Sequence, residues 1–216
     1  MPLASTVRSV RSGRPSRSIR HLRAAGAALA AVLAVALSAC TPDPATEAYL
    51  NGEQKAYTSA DFTVVEIPAA ERGEPVDFGG VTENGDDFSS DEIRGRVAVV
   101  NFWYAGCGPC RAEAKDLESV WQQHQADDVA FVGINIYDQP DQAKAFADTY
   151  GITYPSLMDA DTGEAKLAFA KVTPIQAPPT TLVLDKQGRV AARIIGPIKS
   201  PSILSALVKT ALEEKA

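Results

Sequence analysis

Two cysteines stand three residues apart in the body of the chain, Cys107-Gly108-Pro109-Cys110. Sulfurs at that spacing can meet, and Gly108 and Pro109 put no bulky side chain between them. The pair follows an apolar run, Val97-Ala98-Val99-Val100-Asn101-Phe102, and opens a segment of helical period. That placement carries the chemistry. Unpaired backbone N–H groups and the helix dipole at a helix start stabilise a negative sulfur. A thiolate is the nucleophile of disulfide exchange, so Cys107 is expected to react more readily than an ordinary thiol. Two other readings of the pair stand beside this one. A zinc site needs four ligands, but the body holds no third cysteine, and the histidines are His21, near the start, and His124, far along the helix. A purely structural disulfide is open, although so small a loop would stabilise little.

The elements that must position this pair can be read from period and punctuation. Residues 97–102 and 129–134 are continuous apolar runs, as in strands covered on both faces. From Pro109 onward, Ala114, Leu117, Val120 and Trp121 share one helical face, with Glu113, Lys115, Asp116, Glu118 and Gln122 on the wet side. Asp141–Tyr150 reads as a helix that packs Ala143, Phe146 and Ala147 and stops at Gly151. Residues 180–184 and 190–195, joined by Asp185-Lys186-Gln187-Gly188, read as a hairpin. Ser202–Leu212 reads as a final helix with Ile203, Leu204, Leu207, Val208, Ala211 and Leu212 inward, and Pro201 suits its first turn. A short strand is expected around Leu157 and a helix over 165–170. Before the first long strand, residues 61–96 read as short strands, with Gly79-Gly80 and Asn84-Gly85 as turns and a helical turn after Phe88. Strands alternating with helices and then a hairpin imply a central mixed sheet with helices on both faces.

The start of the chain has a different composition. Residues 1–39 hold six arginines and no acid, so the rest carries 15 of the 21 basic and all 27 acidic side chains. That is a formal charge of −12, against −6 for the whole. So acidic a body argues against nucleic acid as a partner. Residues 24–37 are uncharged and apolar, shorter than the roughly 20 residues of a membrane span, and fit the apolar region of a signal peptide. An uncleaved anchor and a buried alanine-rich helix are the alternatives. Leu37-Ser38-Ala39-Cys40 resembles the lipobox of bacterial lipoproteins. The resemblance implies lipid attachment at Cys40, a leader over 1–39, and anchorage at the extracytoplasmic face of the cell membrane. We expect residues 40–60 to be a flexible tether and residues 61–216 to form the folded domain.

Two separated segments resemble one family. Val99 to Glu113, containing Phe102-Trp103-Tyr104-Ala105-Gly106-Cys107-Gly108-Pro109-Cys110, is similar to the extracytoplasmic thioredoxin-like proteins of the TlpA/ResA type. Pro178-Pro179-Thr180-Thr181-Leu182-Val183-Leu184-Asp185, followed by Gly188-Arg189-Val190, is similar to their proline loop and terminal hairpin. The resemblance covers roughly residues 75–213. It implies a thioredoxin-like α/β fold with an N-terminal strand extension and thiol:disulfide exchange, with the disulfide itself as the redox group and neither metal nor other cofactor. Cys107 matches the exposed attacking cysteine and Cys110 the buried resolving one. Pro179 matches a cis-proline facing the disulfide, and Trp103, Pro179 and Thr180 become candidate substrate-binding residues. An extended Pro-Pro turn and ordinary core packing are the plainer readings of Pro179 and Trp103. Glu113 matches an acidic residue near the family's active site. If buried, it could exchange a proton with Cys110; a solvated helix glutamate is the alternative. Asn101 stands where cytoplasmic thioredoxins carry a buried aspartate. Gly106 departs from the tryptophan that many family members have before the first cysteine.

The partners so implied are exported proteins carrying disulfides, apocytochrome c among them, and a membrane-embedded thiol electron donor. The protein is expected to act as a monomer. Two rivals are weighed. Thiol peroxidases on this fold resemble Pro-x-x-x-Thr-x-x-Cys, but Val100 and Tyr104 occupy those positions before Cys107. A non-catalytic surface-binding lipoprotein would explain Cys40 and leave Cys107, Cys110 and Pro179 without a purpose.

Overall fold

The computed structural model describes residues 57–59 and 62–214. The expected leader over residues 1–39, Cys40 and most of the expected tether lie outside the described residues. Strands β1 (Tyr57–Ser59) and β2 (Phe62–Glu66) come first, then a two-stranded ribbon of β3 (Gly79–Val81) and β4 (Asp87–Ser89). The rest follows as β5 (Ala98–Trp103), α1 (Gly108–His124), β6 (Ala130–Asn135), α2 (Pro140–Tyr150), β7 (Ser156–Met158), α3 (Glu164–Phe169), β8 (Thr180–Leu184), β9 (Val190–Ile195) and α4 (Pro201–Glu213). The main sheet runs β1-β2-β9-β8-β5-β6-β7. Strands β5, β6 and β7 are parallel, and the others pair antiparallel. This is the mixed sheet and thioredoxin-like architecture expected from the sequence.

Alternation along β5 decides what meets α1. Ala98, Val100 and Phe102 face one side, in a core with Val76, Phe78, Leu157, Phe169 and Leu182. Val97 and Val99 face the other, with Leu117 and Val120 of α1 and Leu204, Leu207 and Val208 of α4. Period two therefore turns Asn101 toward α1. A third cluster joins Trp103, Cys107 and Cys110 to Ala114 of α1 and to Ala143 and Phe146 of α2.

Four local expectations differ from the structure. Tyr57–Ser59, expected in the tether, is a strand paired with β2 in the register Tyr57↔Val64 to Ser59↔Phe62. Gly79 and Gly80, expected in a turn, lie within β3. A Cβ on Gly79 would come within 2.6 Å of the Phe88 carbonyl, so this glycine permits close strand approach. Ile203, expected inward, is 37% exposed, and Ser205 turns inward in α4. Its hydroxyl meets His124 Nε2 at 2.8 Å, and His124 Nδ1 meets Asp127 at 2.8 Å, a polar staple between α1 and α4. Glu113, expected on the wet side of α1, is buried, for the reason given next.

Candidate active site

The β5 chain ends at Trp103 and turns back at once, with the Cys107 N–H donating to the Tyr104 carbonyl at 3.1 Å. Cys107 then caps α1: its backbone is extended, and its sulfur accepts the Cys110 N–H at 3.1 Å. Pro109 sits in the first turn, where no N–H is needed. Cys107 and Cys110 form a disulfide with Cα atoms 5.2 Å apart. Both cysteines are buried in this state, at 4% and 2% exposure. The expected exposure of Cys107 is therefore not found. The bridge and the Cys110 amide hold its sulfur against the helix, leaving Gly106, Gly108 and Pro109 as the exposed rim.

Glu113 lies one helical turn past Cys110 and is 1% exposed. It turns inward because both oxygens have donors. Oε1 accepts from Asn101 Nδ2 at 3.0 Å, and Oε2 accepts from the Ile198 N–H at 2.8 Å. Asn101 Nδ2 also donates to Thr181 Oγ1 at 3.0 Å. Burial pushes the Glu113 carboxyl up to about 7, against the lowering effect of the Ile198 and Asn101 hydrogen bonds, with the Asp116 charge adding to the rise. A buried carboxyl that titrates near neutrality is suited to proton exchange. The parts of this network that sequence reading missed are Thr181 and Ile198. They lie 80 and 85 residues from their partners, and no local pattern marks a backbone N–H as a carboxylate donor.

Trp103 is buried beneath the disulfide. Its ring lies 4.3 Å from that of Phe146, and Nε1 donates to Ser156 Oγ at 3.2 Å. Ser156 in turn donates its backbone N–H to Glu83 at 2.8 Å. A cavity of about 10 Å³ borders Cys110, Asn101, Trp103, Glu83, Tyr154 and Ser156. Burial, then the charges of Glu113 and Glu118, hold the Tyr154 phenol above its ordinary range. The Pro178–Pro179 bond is cis. Pro179 is buried and immediately precedes β8, whose Thr180 pairs with Phe102, so it sits at the end of β5 from which the cysteine loop departs. Thr180 is also buried, and its hydroxyl donates to the Ala177 carbonyl at 2.8 Å. Its side chain is committed to holding the proline loop.

A bridged cysteine pair at the N-terminus of the helix that follows a central strand of a mixed α/β sheet, with a cis-proline at the same end of the neighbouring strand, defines a thioredoxin-like thiol:disulfide oxidoreductase. Residues 73–193 match the model of the AhpC/TSA family, more than half of the chain, and the chain belongs to that family. It is 32% identical over 130 residues to the thioredoxin-like protein YneN of Bacillus subtilis, a match covering 59% of this chain and 72% of YneN. It is 36% identical over 112 residues to the thiol:disulfide interchange protein HelX of Rhodobacter capsulatus, covering 51% of this chain and 59% of HelX. Similarity extends to thiol-disulfide oxidoreductase ResA of Geobacillus thermodenitrificans, at 28% identity over 52% of this chain and 62% of ResA. Among solved structures, a thioredoxin-family thiol:disulfide interchange protein of Chlorobium tepidum aligns with a TM-score of 0.60 at 35% identity, covering 67% of this chain and 99% of that one. The secreted thiol-disulfide isomerase of Corynebacterium glutamicum aligns with a TM-score of 0.63 at 28% identity, covering 73% of this chain and 97% of that one. The family match does not restore the peroxidase pattern. Val100 is a core residue of β5, and the Tyr104 ring packs edge-on against Tyr137.

Proposed function

We propose that this protein reduces disulfides of exported proteins at the extracytoplasmic face of the cell membrane, with Cys107 as attacking and Cys110 as resolving residue. The observation that carries the reading is the position of the pair. Cys107 caps the helix with an amide aimed at its sulfur, while Cys110 lies one turn before a buried carboxyl. In the reduced protein, the Cys107 thiolate attacks one sulfur of a substrate disulfide. That S–S bond breaks, one substrate sulfur leaves as thiolate, and a mixed disulfide forms. Glu113 takes the proton of Cys110, whose thiolate then attacks Cys107. The second substrate sulfur leaves, and two electrons have passed from the pair to the substrate. A membrane-embedded thiol donor returns the pair to its reduced state.

Two further observations support the setting. The leader and the lipobox-like Leu37-Ser38-Ala39-Cys40 suit export and lipid attachment at Cys40, and the Corynebacterium relative is described as secreted. No helix among the described residues is long and apolar enough to cross a membrane. Fatty-acid labelling should mark the wild type and spare Cys40→Ala; equal labelling would remove the anchor from the proposal. For the exchange itself, Cys110→Ala lacks the resolving sulfur. It should accumulate mixed disulfides through Cys107 with exported proteins, visible as bands that dithiothreitol dissolves. Failure to trap any partner in growing cells would count against reduction of exported proteins.

A further inference from the structure

The rim around the disulfide offers a partner little to hold. Gly106, Gly108 and Pro109 are exposed, and the first two have no side chain. A partly exposed aromatic pair stands beside Gly106. Tyr104 and Tyr137 pack edge to face, with centroids 5.0 Å apart and planes at 90°. Tyr104 is half-buried, and Tyr137 is 65% exposed. A ring so exposed contributes little to the core, yet its backbone is held firmly. The Asn135 Oδ1 accepts the N–H groups of Tyr137 at 3.2 Å and Asp138 at 2.8 Å. Asp138 Oδ2 accepts from Asn135 Nδ2 at 2.8 Å and from the Ala105 N–H at 2.5 Å, locking the Tyr137 turn to the cysteine loop. The ledge adjoins the exposed rim of the cysteine loop: the Tyr104 carbonyl holds the Cys107 N–H, and a Cβ on Gly106 would lie 3.3 Å from the Tyr104 ring. A hydrogen bond between residues three apart brings their Cα atoms within about 7 Å.

We propose that the Tyr104–Tyr137 pair is a specificity surface for this exchange reaction, and that it takes an extended polypeptide bearing an aromatic side chain near its cysteine. The inference rests on the exchange reading above and adds the kind of sequence the substrate carries. An extended chain advances about 3.3 Å per residue, so a side chain two or three positions from the substrate cysteine reaches the ledge. The open face of Tyr137 is free to pack a further ring in the offset or edge-on geometry that aromatic pairs prefer. Gly106 adds no side chain beside this ledge, so the path from Cys107 to the rings stays clear.

The test uses reduced wild-type protein and two synthetic disulfide peptides, identical except for Phe or Gly two positions from the cysteine. The rate constant for reduction is measured with each, and their ratio is the readout. The wild type should reduce the Phe peptide about 5-fold faster, as expected from one aromatic contact. The ratio should fall toward one in Tyr137→Ala and be retained in Tyr137→Phe. A wild-type ratio of one, an unchanged ratio in Tyr137→Ala, or an equal loss in Tyr137→Phe would overturn the ledge. Oxidised glutathione separates the two levels of the argument. If wild type reduces glutathione disulfide and shows no peptide preference, the ledge alone is wrong. If it reduces neither peptide nor glutathione disulfide, the exchange reading fails and the ledge with it.

Discussion

Glu113 connects burial to chemistry through a single carboxyl. Its ordinary value is 4.5, and burial raises it to about 7 in the fold. A group whose folded value is raised contributes stability that is full below its unfolded value and lost as pH rises through the folded one. The window here is therefore about pH 4.5 to 7, and a shift of this size corresponds to roughly 3 kcal/mol. Urea unfolding of the oxidised wild type should show stability falling between pH 5 and pH 8. Glu113→Gln, which carries no titrating proton, should flatten that slope. Identical slopes in both would remove Glu113 as the source. The same substitution should abolish the inflection near pH 7 in the rate at which Cys110 resolves a mixed disulfide, if Glu113 takes its proton. Asn101 belongs to the same account. Its amide donates to both Glu113 and Thr181, so it supports the carboxyl without itself titrating.

The strands and helices that hold the pair meet most tightly behind it, where β6 passes Trp103. Gly133 lies on β6 opposite Asn101 of β5 and next to Ser156 of β7. A Cβ there would lie 2.7 Å from Trp103 Nε1 and closer still to Ser156 Oγ. These atoms form the hydrogen bond that fixes the indole. Gly133→Ala should therefore break that bond and cost about 1–3 kcal/mol through overpacking. Loss of urea midpoint together with altered tryptophan emission would bear this out. An unchanged midpoint would mean that β6 yields at no cost. The capping of α1 acts at the same level. Cys107 is both a member of the redox pair and the helix N-cap, so the element's start and the site's chemistry are one structure.

Distant parts of the fold are joined by a buried charge cluster on the β8–β9 turn. Arg72 Nη1 meets Asp185 at 2.9 Å, and its two terminal nitrogens each reach an oxygen of Glu214 at 2.5 Å. Arg189 also pairs with Asp185, at 2.8 Å. Burial alone would raise the Asp185 carboxyl, but the Arg189 backbone N–H and the Arg72 and Arg189 guanidinium groups outweigh it and hold the carboxyl below its usual range. The stability from that lowered value is present above the unfolded value and lost as pH falls through the folded one. Arg72 thus ties the segment before β3 and the end of α4 to the central hairpin. Arg72→Ala leaves the buried Asp185 carboxylate with one of its two guanidinium partners and should cost about 3 kcal/mol, or about 10 °C in Tm for a domain of this size. A loss under 1 kcal/mol by thermal or urea unfolding would show that Arg189 suffices.

Much of this organisation is legible in local pattern. The apolar runs that became β5 and β6, the helix opening at the cysteines, and the hairpin at 180–195 are set by periods of 2 and 3.6 and by turn residues, all short-range properties of the chain. So is the reactive pair, because its two sulfurs are three residues apart and need only a helix start. The fate of Glu113 lay beyond such reading. A glutamate on α1 is wet or buried according to what stands opposite, and its partners come from β5 and from the backbone before α4. The exposure of Tyr137 beside Tyr104, the burial of Thr180 and the strand at 57–59 have the same origin. Each depends on contacts between segments far apart in sequence, whose relative placement is set by the sheet order and by close packing, and no periodicity in a single segment encodes it.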